Sequence, residues 1–90
     1  TANVKIKKAA ASGKSVKLSW KRNKKATGYV IYRSTKKNSG YKRIKKINNN
    51  KTVSYQDKKI RKKGNYYYKI VTVKKGNASA MSTAKKVKVK

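Results

Sequence analysis

Histidine, cysteine and proline are absent, and Asp57 is the only side-chain carboxylate. Each absence removes a class of chemistry. Without cysteine, neither a disulfide nor a thiolate metal site can staple a small domain. Without histidine, and with one carboxylate, the chain cannot pair a general acid with a general base. It cannot build a Ser-His-Asp constellation, a carboxylate cage for a hard cation or a His-ligated zinc either. A nucleophilic lysine would need a desolvated setting, which no segment marks. The expectation is a protein that binds or spaces, with no catalysis, cofactor or metal. No apolar run approaches the roughly 18–20 residues of a membrane helix. With neither a signal peptide nor a starting methionine, the chain reads as one domain, residues 1–90, of a longer protein.

What is present is positive charge. Twenty-nine Lys and Arg face one acid, for a net +28. All but Arg22, Arg33, Arg43 and Arg61 are lysines. Lysine is a mobile, strongly hydrated point charge, whereas arginine recognises with a fixed bidentate fork. The balance favours diffuse attraction to polyanions over base-specific reading. The abundant Asn, Ile and Tyr fit an AT-rich coding bias, but that bias would supply Asp and Glu equally. Selection or engineering has removed the acids.

Hydrophobic periodicity is two. The segments VKIKK (4–8), SVKLSW (15–20), GYVIYRS (28–34), YKRIKKI (41–47), TVSYQD (52–57), NYYYKIVTV (65–73) and KKVKVK (85–90) read as strands. Turn-forming stretches such as ASGK, TKKNSG, NNNK and KKGNAS separate them. Seven short strands with no helix predict an all-β, seven-stranded antiparallel sandwich. Lysine alternates with the apolar residues, so this is no disordered basic tail. Val16, Leu18 and Trp20 share one face, with Lys17 and Ser19 on the other; Val87 and Val89 face inward, with Lys86, Lys88 and Lys90 outward. Lysines on the strands also guard edges that proline does not. In NYYYKIVTV, alternation sends Tyr66, Tyr68, Ile70 and Thr72 inward and Tyr67, Lys69 and Val71 outward. The tyrosine run is a core strand first, leaving Tyr67 and Tyr32 as surface aromatics.

These segments resemble the fibronectin type III family, in particular lysine-rich modules of bacterial surface and secreted proteins. Trp20 in VKLSW matches the core tryptophan of the second strand. ATGYVIYRST (26–35) resembles the third strand, and SGYKRIKKI (39–47) the next. SYQDKKIRKKGNYYYKI (54–70) resembles the loop and sixth strand that carry a tyrosine corner. Ile60 precedes Tyr66 by the family's six residues, while Gly64 falls one position late. The resemblance implies a three-stranded sheet on a four-stranded sheet, with the Tyr66 hydroxyl bonded to backbone near Ile60. It implies no particular chemistry, and the integrin-binding Arg-Gly-Asp tripeptide is absent.

Asp57 could pair with a neighbouring lysine or touch a metal, but its place before Ile60 fits a turn-stabilising Asx bond. The basic clusters at 21–25, 34–46, 58–63 and 72–77 carry the functional signal. A surface of roughly 5,300 Å² gives about one cation per 180 Å². Their spacing of about 13 Å slightly exceeds the physiological Debye length of about 8 Å. The fold tolerates such charge in saline, while a polyanion crossing several cations is strongly attracted. The favoured face is the four-stranded sheet, where Arg43, Lys45 and Lys69 accompany Tyr32 and Tyr67 and could meet phosphates and stack on rings. Lys42, Lys46, Lys58, Lys59, Arg61, Lys62 and Lys63 extend the polyanion-binding set. Contact with a neighbouring domain competes for the two tyrosines. The leading expectation is an extracellular spacer and binding module, monomeric in isolation, of a bacterial surface or secreted protein. Its partners would be teichoic acids, sulfated glycans or anionic membrane surfaces. The alternatives are a nucleic-acid binder of low sequence specificity and a deliberately supercharged scaffold.

Overall fold

The computed structural model describes residues 6–60, 62–74, 77–78 and 84–89. Arg61 and Lys90 lie outside the described residues, as do residues 4–5 of the first expected strand and 75–76 of the last basic cluster. The described chain is all β. Its strands are β1 (Ile6–Ser12), β2 (Ser15–Trp20), β3 (Gly28–Ser34), β4 (Lys42–Ile47), β5 (Ser54–Asp57), β6 (Gly64–Lys74), β7 (Asn77–Ala78) and β8 (Lys85–Val89). One sheet has the order β1-β2-β5, and the other joins β4-β3-β6. Along its free side β6 pairs with β8 over Gly64–Tyr68 and with the two-residue β7 at Val73 and Lys74. Taken together as one interrupted strand, β7 and β8 complete the three-on-four sandwich.

The inward positions fill one core. Val16, Leu18, Trp20, Tyr29, Ile31, Tyr68, Ile70 and Val89 are all buried there. Trp20, 3 % exposed, meets Tyr29 edge to face with ring centroids 5.6 Å apart. That geometry suits the positive edge and negative face of two rings. The Tyr29 hydroxyl accepts from the Asn23 backbone N–H at 2.9 Å and donates to the Asn50 carbonyl at 3.0 Å. A tyrosine at a wholly buried position is thereby satisfied at its polar tip.

Two departures have physical causes. In YKRIKKI both Ile44 and Ile47 pack toward the core, a spacing of three that period two forbids. A register shift opposite Ile31 and Tyr32 absorbs the extra residue. The first strand runs to Ser12 rather than ending at Lys8, because hydrogen bonds to β2 carry it through three alanines that have no hydrophobic alternation. Val71 follows the outward parity and lies outside the core cluster, yet is 5 % exposed, paired across the sheet with Val30 at 8 %. The outward face of the larger sheet thus has a buried apolar centre.

The corner forms as the resemblance implies. The Tyr66 hydroxyl donates to the Lys62 carbonyl at 2.5 Å, two residues beyond Ile60. Ile60 itself is buried in the core. Gly64 has φ of +138°, which an L side chain rarely adopts.

A cationic groove at one end of the sandwich

Strands β3 and β5 end, and β4 and β6 begin, at the same pole of the sandwich. The segments 35–41, 58–60 and 62–63 close that pole, and between them lies a groove of about 900 Å³. Among the described residues, five cations line it: Arg33, Lys42, Lys58, Lys59 and Lys62.

Behind Arg33, buried and not itself part of the lining, is the chain's one side-chain carboxylate. Asp57 ends β5 in the smaller sheet and is 0 % exposed. Its Oδ2 accepts from Arg33 Nη1 at 2.7 Å and from the Tyr68 hydroxyl at 2.8 Å, both on the larger sheet. Oδ1 accepts from the Lys59 backbone N–H at 3.1 Å. The last bond is the expected Asx turn; the first shows that the charge partner is Arg33, not a lysine. A buried carboxylate needs such partners, because desolvation costs several kcal/mol per ion unless charge and hydrogen bonds offset it. The network ties the two sheets together. Burial lowers the Arg33 pKa, but the hydrogen bond and charge of Asp57 outweigh it and hold the guanidinium above its ordinary value. Burial, followed by the bond to Asp57 and its charge, drives the Tyr68 phenol far above the usual tyrosine range.

Arg33 is not wholly consumed by this pair. Its side chain is 25 % exposed, and its guanidinium stands 5.9 Å from the centre of the Tyr66 ring. Lys42 is its direct cross-strand partner. The walls are pinned by side-chain bonds. Ser34 Oγ donates to the Ser39 carbonyl at 2.5 Å and accepts from the Lys36 N–H at 2.9 Å. The Tyr41 hydroxyl donates to the Lys37 carbonyl at 2.6 Å. Gly40, at φ +74°, gives that loop a turn where a Cβ would press on Ser34 Oγ.

The residues singled out from sequence divide between two places. Lys42, Lys58, Lys59 and Lys62 meet in the groove; Lys63 is exposed beside Lys62 and does not line it. Tyr32 pairs with Arg43 on one side and Lys69 on the other, so these three share the outward face of the larger sheet. Tyr67 keeps the same parity two residues before Lys69, and Lys46 lies opposite Val30 on that face. Lys45 does not join them, because the bulge places it opposite the core residue Ile31. Tyr41 does: Lys69 Nζ lies 4.6 Å from the centre of its ring. Burial and the neighbouring Tyr67 raise the Tyr41 pKa. Neither Tyr41 nor Arg33 was a candidate from sequence. The signal for Arg33 was present, since it shares inward parity with Tyr29 and Ile31 and had one carboxylate available to pair with. Tyr41 opens the expected strand 41–47 with the parity of Arg43, so its signal was present too, although in the structure it lies just before β4.

No family model matches the sequence, and neither does any curated protein. Solved structures do match its shape. An Fn3-like protein from Clostridium thermocellum superposes with a TM-score of 0.80 at 23 % identity, covering 98 % of this chain and 93 % of that one. A pectate lyase from Erwinia chrysanthemi, in complex with tetragalacturonic acid, gives 0.80 at 22 % identity over 94 % of this chain and 28 % of its own. A fibronectin type III domain derived from a human protein gives 0.76 at 16 % identity, covering 96 % and 72 %. By strand order, sheet pairing and likeness to these structures, the chain has the fibronectin type III fold.

Proposed function

We propose that this domain is a non-catalytic binding and spacing module of an extracellular, bacterial surface or secreted protein, and that its surface holds anionic polymers. One observation carries the reading. The only acidic side chain is buried and paired with Arg33, so no exposed side chain offsets the exposed lysines. No described lysine is buried. The 6214 Å² surface spreads 29 cationic groups at about one per 210 Å², near 15 Å apart. This exceeds the Debye length of about 8 Å in physiological saline, so the cations repel one another weakly there. A polymer with closely spaced anions still gains from each contact, because it releases condensed counterions. The pectate lyase with a similar domain was captured with tetragalacturonic acid, a chain of carboxylated sugars. Its ligand belongs to the charge class this surface attracts.

The outward face of the larger sheet supports a second reading, low-specificity binding of single-stranded nucleic acid. Tyr32, Tyr67 and Tyr41 stand there among Arg43 and Lys69, and rings interleaved with cations can stack bases. A panel of polygalacturonate, a sulfated glycan and single- and double-stranded DNA at two salt concentrations separates the two. Comparable binding per charge supports general polyanion capture. A strong preference for single-stranded DNA at matched ionic strength supports the second reading, and no binding of any polymer at 0.15 M salt refutes both.

A further inference from the structure

We infer that the groove between the segment 35–41 and residues 58–60 and Lys62 is a defined site for a short acidic oligosaccharide, with Arg33 as the fixed anchor for one carboxylate. This rests on the polyanion reading and narrows it to a place and a chemistry.

The general surface attracts through mobile lysines, but the groove contains a cation that is held still. Asp57 engages Arg33 at Nη1, at 2.7 Å, and Asp57 is itself fixed by Tyr68 and the Lys59 N–H. A guanidinium has five N–H donors in a rigid fork. One arm is anchored in the sheet-to-sheet network, and the side chain keeps a quarter of its surface exposed at the groove. That arrangement orients the remaining donors before any ligand arrives, which spares much of the ordering cost of binding. The bonds of Ser34 to the 36–39 segment and of Tyr66 to Lys62 hold both walls in the same way.

Charge points in the same direction. Arg33 and Lys42 are directly opposed in the β3–β4 register; Asp57 compensates the charge of Arg33 but leaves that of Lys42 uncompensated. Lys58, Lys59 and Lys62 add to them across the groove, and no acid is among its described lining residues. An anion between the walls offsets this excess.

The lining selects among polyanions. Tyr66 is 8 % exposed and lies beneath Arg33, so the groove offers no open ring on which a base could stack. Thr35 supplies an exposed hydroxyl instead, which suits a polyhydroxylated chain, while the Ser34 hydroxyl is held by Ser39 and Lys36. A volume of about 900 Å³ is near the upper end of the roughly 300–1,000 Å³ of small-molecule sites, room for a short segment rather than a lone ion.

The test is an NMR titration of the isotope-labelled domain with tetragalacturonate at 0.15 M salt, repeated with long polygalacturonate and with a four-nucleotide single-stranded DNA. The expected result is saturable shifts confined to amides of residues 33–42 and 57–62. Arg33→Lys keeps the charge and loses the fork; it should weaken tetragalacturonate on the order of tenfold and leave the long polymer nearly unchanged. Because that variant also alters the Asp57 pair, a second comparison carries equal weight. Lys58→Gln/Lys59→Gln/Lys62→Gln should weaken the tetramer several-fold more than Lys17→Gln/Lys86→Gln/Lys88→Gln, which removes equal charge from exposed strand positions. Equal losses from the two sets, or shifts spread over every face, overturn the groove and leave general attraction standing. Tighter binding of the DNA in the groove overturns the choice of a glycan. If neither tetramer nor polymer binds, the functional reading falls together with the site.

Discussion

Replacing Asp57 by Asn removes the only negative side chain while keeping its shape. Two donors, Arg33 Nη1 and the Tyr68 hydroxyl, converge on one carboxylate oxygen, and the Lys59 N–H takes the other. An amide has one oxygen and one NH2. Whichever way it is turned, a donor faces a donor, and the remaining bonds lose their charge. Breaking a buried pair by removing one partner costs about 3–5 kcal/mol, and hydrogen bonds to a charged group are worth about 1.5–3 kcal/mol. Arg33 is a quarter exposed and can rehydrate, which lowers the expected loss to roughly 2–4 kcal/mol. A domain of this size has a total stability of roughly 4–13 kcal/mol. At about 4–8 °C per kcal/mol, the Tm should fall by roughly 10–30 °C, as read by circular dichroism in 0.15 M salt. The companion variant Arg33→Met/Asp57→Leu/Tyr68→Phe removes every side-chain member of the network and should recover much of the loss, because no buried charge is left unpaired. An Asp57→Asn protein that melts within about 2 °C of the parent would refute the assignment of this network as the tie between the sheets.

Other outcomes follow from the same geometry. Trp20→Ala should cost about 3–5 kcal/mol, the usual range for a large core aromatic, and Tyr66→Phe roughly 1 kcal/mol for the single bond to Lys62; an unchanged denaturant midpoint in either contradicts the core assignment. Tyr68 keeps its proton in the folded state where the unfolded chain releases it near pH 10, so its contribution is complete below about pH 10 and declines as pH rises beyond that value. In Tyr68→Phe the alkaline loss of stability should be shallower, and an identical alkaline profile counts against the burial and bonding described. Because the Debye length grows to about 30 Å at 0.01 M salt, the Tm should climb between 0.01 and about 0.3 M, more with sulfate than with chloride; a salt-independent Tm would mean the folded cations repel no more than the unfolded ones.

The sandwich was legible because its inward residues are large and its outward residues are lysines, a contrast that makes period two plain in SVKLSW and KKVKV. Trp20, Tyr66 and Tyr68 could be assigned to the core by parity alone, and all three are buried. Parity fails where the ladder shifts. The spacing of Ile44 and Ile47 contained the warning, and following it would have moved Lys45 off the face of Arg43 and Lys69. The groove was not legible as a unit. Its walls come from segments some twenty residues apart in sequence, and their approach depends on Asp57 reaching Arg33 across the core. Composition announced an excess of cations, but only the tertiary network distinguishes one held cation from many mobile ones.

The most direct measurement of the central claim is the salt dependence of binding to a long polyanion, with duplex DNA as the calibrated case. Each neutralised phosphate contributes a slope of about −0.9 in log K against log salt, so contact with five to eight phosphates predicts roughly −4.5 to −7. A lysine-dominated surface should also show the same affinity for unrelated DNA sequences, since base reading relies on fixed bidentate geometry. A slope in that range with no sequence preference is the expected result. Binding that barely changes between 0.05 and about 0.3 M salt, or none at 0.15 M, would contradict the claim that this surface holds anionic polymers through its charge.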